Sequence, residues 1–204
     1  MATRTITRLY DTREEATRAV RALEAAGVPH DDMSLVGSGH DGAPAEGADD
    51  GDAAAPGAGT GIGATLGTLV GGGAGLLAGI GALAIPGVGP IVAAGWLVAA
   101  LTGAGVGAAA GGLLGSLVGA GVDEEDAHVH AEGVRRGGTV LTARVDESEA
   151  ARVEAALDAA GGTVDVAARR AEYQAEGWRR FDPAAPGYTA PEVEAERKRR
   201  VRVY

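Results

Sequence analysis

The 204-residue chain has no cysteine, which removes disulfide frameworks, thiolate metal sites and cysteine nucleophiles from consideration. Aromatic side chains are scarce too. One Phe, two Trp and four Tyr make up 3% of the sequence, fewer than a conventional core of this length holds. Basic residues number 18 against 28 acids, and the formal charge of −10 argues against nucleic acid as a partner, which needs a basic face. Ser34, Ser38, Ser116 and Ser148 stand outside any G-x-S-x-G elbow, so no serine nucleophile is marked. What the chain has in excess is glycine, 35 residues, without the every-third-residue period of collagen.

The most informative absence is local. From Ala53 to Val122 there is no Asp, Glu, Lys, Arg or His. That run of 122 − 52 = 70 residues separates an acidic N-terminal block from a mixed C-terminal one. A solvated helix shows a polar face; this stretch has none, so it belongs in protein or in lipid. Met1–Tyr10 carries Arg4 and Arg8, and no apolar run of signal length follows. The expected location of both flanking blocks is therefore the cytoplasm.

Within the uncharged run, Gly59, Gly63, Gly67, Gly71, Gly75 and Gly79 recur at every fourth position, and Gly103, Gly107, Gly111, Gly115 and Gly119 resume the period. On a helix such residues form one flat ridge that admits a second backbone closely. Between the two stripes stand Pro86, Gly87, Gly89 and Pro90, which remove donors and permit a reversal. The pattern predicts a helical hairpin, Gly59–Ala84 and Ile91–Gly121, each arm long enough for a hydrocarbon layer of about 30 Å. Two crossings return the chain to its starting side, giving an inner (cytoplasmic) membrane protein with both termini cytoplasmic. Acidic flanks, Trp96 standing alone and the poor intrinsic helicity of glycine favour the alternative, a cytoplasmic assembly whose hairpins share a protein core.

The polar blocks read as a split α+β unit. Thr3–Tyr10 is β-rich. Thr12 and Glu15 form a capping box before the stripe Ala16, Ala19, Val20, Leu23 and Ala26, which Gly27 stops. Met33–Val36 is a second strand, and residues 38–56 form an acidic linker rich in Gly, Ala and Pro. After the hairpin (57–122), Asp123–Arg136 is a helix with acids first and arginines last. Thr139–Val145 is a strand, and Asp146 with Glu149 caps a helix with stripe Ala150, Val153, Ala156, Leu157 and Ala160. Thr163–Ala167 is the last strand. Residues 1–37 and 123–170 thus supply two βαβ halves of a ferredoxin-like βαββαβ head interrupted by the hairpin. Residues 171–204 are an aromatic and basic helical tail.

The segments TRLYDTREEATRAVRALEAAGV, DEEDAHVHAEGVRRGGTVLTARV and AEYQAEGW resemble the bacterial heat-induced general-stress proteins. That resemblance implies a ferredoxin-like head split by a glycine-rich segment and a stress-related role, with no catalytic residues to carry over.

Candidate chemistry is thin. Glu125-x-x-His128 and His130 offer carboxylate and imidazole, but alternate residues point apart on a helix and no third ligand converges, so a solvated face is the simpler reading. Gly57–Gly63 lacks the preceding strand and following lysine of a phosphate loop. Arg197, Lys198, Arg199, Arg200 and Arg202 form a basic tail suited to anionic head groups, each base contributing about 1 kcal/mol near such a surface. No cofactor, metal or small-molecule substrate is indicated, and no enzyme activity is expected. The expected partners are membrane lipid and further copies of the chain through the glycine stripes. The expected function is a non-enzymatic, membrane-associated stress protein whose hairpin inserts while the head scaffolds or senses. A soluble self-assembling protein, or a small-ligand sensor in the head, is the alternative.

Overall fold

A computed structural model describes residues 2–39, 81–85, 89–97 and 108–201. The architecture is mixed α/β. Strand β1 (Thr3–Tyr10) leads into helix α1 (Arg13–Ala25). The Thr12 hydroxyl accepts from the Glu15 amide at 3.2 Å, and the Glu15 carboxylate accepts from the Thr12 amide at 3.1 Å. This is the capping box the sequence marks. Gly27, at φ +82, closes the helix with amide bonds from Gly27 to Glu24 and from Val28 to Leu23, the paired pattern of a left-handed C-terminal stop. Strand β2 (Met33–Ser38) follows and is buried throughout.

The uncharged run departs from the hairpin expectation. Gly81–Ile85 and Gly89–Gly95 are strands, β3 and β4, paired antiparallel with Ile85 opposite Gly89. The reversal therefore joins two strands. Pro86 and Gly87 lie outside the described residues, while Gly89 and Pro90 open β4. Pro90 pairs with Ala84 but lies beyond the last partner on β2, since Ser38 faces Ile91; its missing donor costs little there. The physical reason for the difference is that a strand inside a covered sheet needs no polar face either. Two prolines four residues apart deny a helix room to propagate. Of the predicted second helix, Ile91–Gly95 is strand and Ala108–Gly119 is helix α2, kinked at Gly112 with φ 38; residues 98–107 lie outside the described residues. Among the described residues no helix is long and apolar enough to cross a membrane.

Helix α3 (Glu124–Arg135) is capped by Asp123, whose carboxylate accepts from the Glu125 amide at 2.9 Å. Strand β5 (Thr139–Asp146) and helix α4 (Glu147–Ala160) match the sequence reading, although Asp146 makes no side-chain cap bond. The expected strand at Thr163–Ala167 shrinks to one bridge, Tyr10 to Thr163. It stops because Asp165 caps helix α5 (Val166–Ala175) by accepting from the Ala168 amide at 2.9 Å, and strong helix formers follow. Helix α6 (Ala190–Val201) ends the described chain.

The sheet order is β1-β5-β2-β4-β3, every neighbouring pair antiparallel. Successive residues face opposite sides, so both faces are apolar. Ile6, Tyr10, Leu35 and Leu141 meet Ala19, Val20 and Leu23 of α1 and Val153 and Leu157 of α4. Leu9, Val36, Ala93 and Val140 meet Leu113 and Leu117 of α2, Ala127, Ala131 and Val134 of α3, and Phe181. Two helical layers thus cover the two faces of β1, β5 and β2, with Ala93 and Ala94 of β4 joining them.

Candidate functional site

The densest chemistry lies where α3, α5 and α6 converge on the C-terminal end of β1. Glu132 is fully buried on α3, and helical spacing brings its own i+3 and i+4 arginines onto it. Arg135 donates to it from Nε at 2.8 Å and from Nη2 at 2.6 Å, and Arg136 donates from Nε at 2.6 Å. Arg136 extends onward to Glu176 at 2.5 Å and Glu196 at 3.3 Å, with its guanidinium 4.1 Å from the centre of the Tyr173 ring and 5.7 Å from that of Tyr188. Burial works against the charge on Arg136, but the bonds to Glu132 and Glu176 outweigh it and hold the group protonated.

A second knot ties the chain ends together. Arg169 on α5 grips both oxygens of Asp11 at 2.8 and 2.9 Å, and Arg200 on α6 reaches the same carboxylate at 2.6 Å. Burial pushes the Asp11 carboxyl up; the Arg169 hydrogen bonds and the charges of Arg200 and Arg169 overcome it and leave the carboxyl below its usual range. Burial pushes the Tyr173 phenol up against opposing arginine charges. Asp11 and Arg136 are thus both held in their charged forms by the partners they bind. The arrangement is a clamp.

The histidines point apart. His130 is buried, its Nδ1 2.6 Å from the Asp126 carbonyl. His128 is buried too, its Nε2 3.1 Å from Arg180. Burial lowers both imidazoles; Arg180 adds to this at His128, whereas the Asp126 carbonyl opposes it at His130. Among the described residues no three His, Asp or Glu side chains are grouped to hold a metal ion.

The sequence-marked residues divide as follows. Gly59, Gly63, Gly67, Gly71, Gly75, Gly79, Gly103 and Gly107 lie outside the described residues. Gly111, Gly115 and Gly119 are on α2. An added Cβ at Gly115 or Gly119 would meet nothing within 4 Å, and Val118 beside them is 41% exposed. Arg202 lies outside the described residues. Arg197 donates to the Gly137 carbonyl at 2.7 Å, Lys198 pairs with Glu194 at 2.6 Å, and Arg199 reaches Glu176 at 2.6 Å and also Glu196. These bases therefore bind the chain's own acceptors. Sequence reasoning missed Glu132, Arg136, Arg169 and Asp11. The only signal available for them was spacing, Glu132 three and four residues before Arg135 and Arg136.

Comparison with family profiles, with characterised proteins and with solved structures yields no match.

Proposed function

We propose that this chain is a non-enzymatic, membrane-associated stress-response protein, in which a ferredoxin-like head scaffolds or senses beside the cytoplasmic membrane while an uncharged, glycine-striped segment inserts and self-associates. The general-stress resemblance belongs to the same reading. The observation that carries it is the uncharged run from Ala53 to Val122. Sheet pairing and α2 account for part of that run. They leave the whole first stripe, Gly59 to Gly79, inside a stretch without a single charge.

Support for the ferredoxin-like head comes from connectivity. β1-α1-β2 and β5-α4-Thr163 are two βαβ units, β5 lies between β1 and β2, and Thr163 bridges the outer edge of β1. The fourth strand is reduced to that bridge, and β4 and β3 extend the other side.

The fold also constrains how insertion happens. Val36 faces Ala93, which faces Gly81; Ser38 faces Ile91, which faces Leu83. Ser38 and Gly81 are thus two residues apart along the strands and two strands apart across the sheet, about 12 Å. Because β2 and β3 both run antiparallel to β4, they are parallel to each other, and the connection from Ser38 to Gly81 is a crossover between two points on the same sheet. Residues 53–80 number 80 − 52 = 28, fewer than the roughly 40 that two full helical crossings need. Insertion in this reading is therefore shallow or re-entrant. Both chain ends belong on one side as well, because Arg200 near the C-terminus binds Asp11 near the N-terminus.

Carbonate extraction of membranes from expressing cells tests the reading. Retention in the pellet is expected, and complete release overturns it. The second reading is a soluble self-assembling protein, favoured by the exposed ridge of Gly115, Val118 and Gly119 on α2. It predicts a large particle of uniform size by light scattering in detergent-free buffer. A head that senses a small ligand has no specific observation in its favour.

A further inference from the structure

Helix α6 is held on the head by charge far more than by apolar contact. Val193 is its one buried apolar residue among those whose side chains are described, and the buried residue beside it, Glu196, is an acid. Its register against the head comes from Arg197 on the Gly137 carbonyl, Arg199 on Glu176 and Arg200 on Asp11. The segment before it, from Trp178 to Thr189, has no regular structure and contains Pro183 and Pro186. It is anchored by buried Phe181 and by Tyr188 stacked on Arg135 at 4.9 Å. The helix therefore has a hinge, a weak apolar grip and a strong ionic one.

We infer that α6 is a latch that exchanges the head's carboxylates for the phosphates of an anionic bilayer, so that the tail docks on lipid only where the negative surface charge is high. Guanidinium binds carboxylate and phosphate with the same planar fork, so one set of arginines serves both partners in turn. The docked helix already shows the means of first contact. The Lys198 and Arg199 side chains are 72% and 55% exposed, while Arg200 behind them is 12% exposed. A bilayer would meet the outer pair first and then draw Arg200 and Arg197 from Asp11 and Gly137. Release does not strand charge inside the head. Asp11 keeps Arg169, and Arg136 keeps Glu132.

This inference rests on the proposed membrane association but is tested separately from it. The chain has no cysteine, so Ala195→Cys on α6 and Ala151→Cys on α4, both at exposed positions, give two defined spin labels in the full chain. A single distance population is expected in buffer, with phosphatidylcholine vesicles and with soluble glycerophosphoglycerol. A second, longer population is expected with vesicles rich in phosphatidylglycerol. Glu176→Gln, which removes one competing carboxylate, should lower the anionic lipid fraction at half-release by about twofold. Lys198→Gln with Arg199→Gln should raise it by at least about as much. An unchanged distance with phosphatidylglycerol vesicles overturns the latch, as does equal release by the soluble head group, which would make the ligand free phosphate. Carbonate-resistant protein with an unchanged distance loses only the latch. Carbonate-released protein with a lengthened distance loses only the inserted segment.

Discussion

Gly27 and Gly95 both have positive φ, +82 and +97, yet alanine should affect them very differently. At Gly27 the new Cβ meets nothing within 4 Å, whereas at Gly95 it would lie 2.1 Å from the Met33 carbonyl oxygen. Gly27→Ala is expected to cost about 1 kcal/mol of backbone strain. Gly95→Ala adds a clash with the β2 backbone and is expected to cost about 3 kcal/mol or more. Urea denaturation of the two variants measures the difference, and equal losses would mean that β4 does not pair closely with β2. Carboxylates divide in the same way. Glu132→Gln leaves Arg135 and Arg136 with a neutral partner in a buried setting and should cost about 3–5 kcal/mol. Glu14→Gln removes a solvent-exposed pair with Arg18 and should cost under about 0.5 kcal/mol. Two titrations bound the stability in pH. His130 is depressed below the ordinary 6.5 by burial, so the unfolded chain takes up a proton first and stability falls as pH drops from about 6.5. Asp11 is held below the usual carboxylate range, so its contribution is present at neutrality and disappears only below about pH 4. His130→Gln should flatten part of the first limb of the melting-temperature profile, His128, also depressed, carrying the rest, and Asp11→Asn should flatten the second. A profile in which both variants track the wild type would refute the assignment.

At the scale of elements, α6 contributes little hydrophobic burial to the head. Removing residues 190–204 takes away Val193, worth about 1.5–3 kcal/mol, and the partners Glu196 and Arg200. It leaves Glu132 with both arginines and Asp11 with Arg169. The truncated chain should stay folded with a cooperative transition and lose about 2–3 kcal/mol, read from thermal unfolding; loss of the transition would show that the clamp holds the head itself together. Elements with local punctuation were legible in the sequence. The Thr12–Glu15 box and Gly27 bracket α1, and Asp123 with Gly137 brackets α3, because caps and left-handed stops act within a few residues. The uncharged run was not legible in the same way. A helix packed on all sides and a strand inside a covered sheet make the same demand for apolar residues, and only the unpaired edge of β2, a long-range fact, selects the strand for Ile91–Gly95. Thr163 was misread for the converse reason. Its β tendency is real, but the Asp165 cap two residues later starts a helix before a ladder can grow. The clamp was invisible because Arg169 and Asp11 are 158 residues apart, and side-chain pairing at that separation leaves no periodicity.

For the whole molecule, the decisive property is that the glycine-striped segment begins and ends on one sheet. The two halves that flank the segment do not depend on it to stay together. Here the halves are already joined through β5, which pairs with β1 on one side and β2 on the other. Deleting residues 53–80 leaves residues 39–52 to connect Ser38 to Gly81. Fourteen residues can extend to about 46 Å at most, against a gap of about 12 Å, so the shortened connection closes without strain. Loop-closure entropy changes only logarithmically with length and favours the shorter connection slightly, by about 1 kcal/mol. The head of the deletion variant should therefore unfold at a temperature equal to or slightly above that of the full chain, measured by circular dichroism in the same detergent. Carbonate-resistant attachment should be lost in the same variant, because the first glycine stripe leaves with the deletion. If the variant stays in the membrane pellet, attachment belongs to α2 or the tail. If it fails to fold, the segment is part of the head's core and the sheet cannot stand without it.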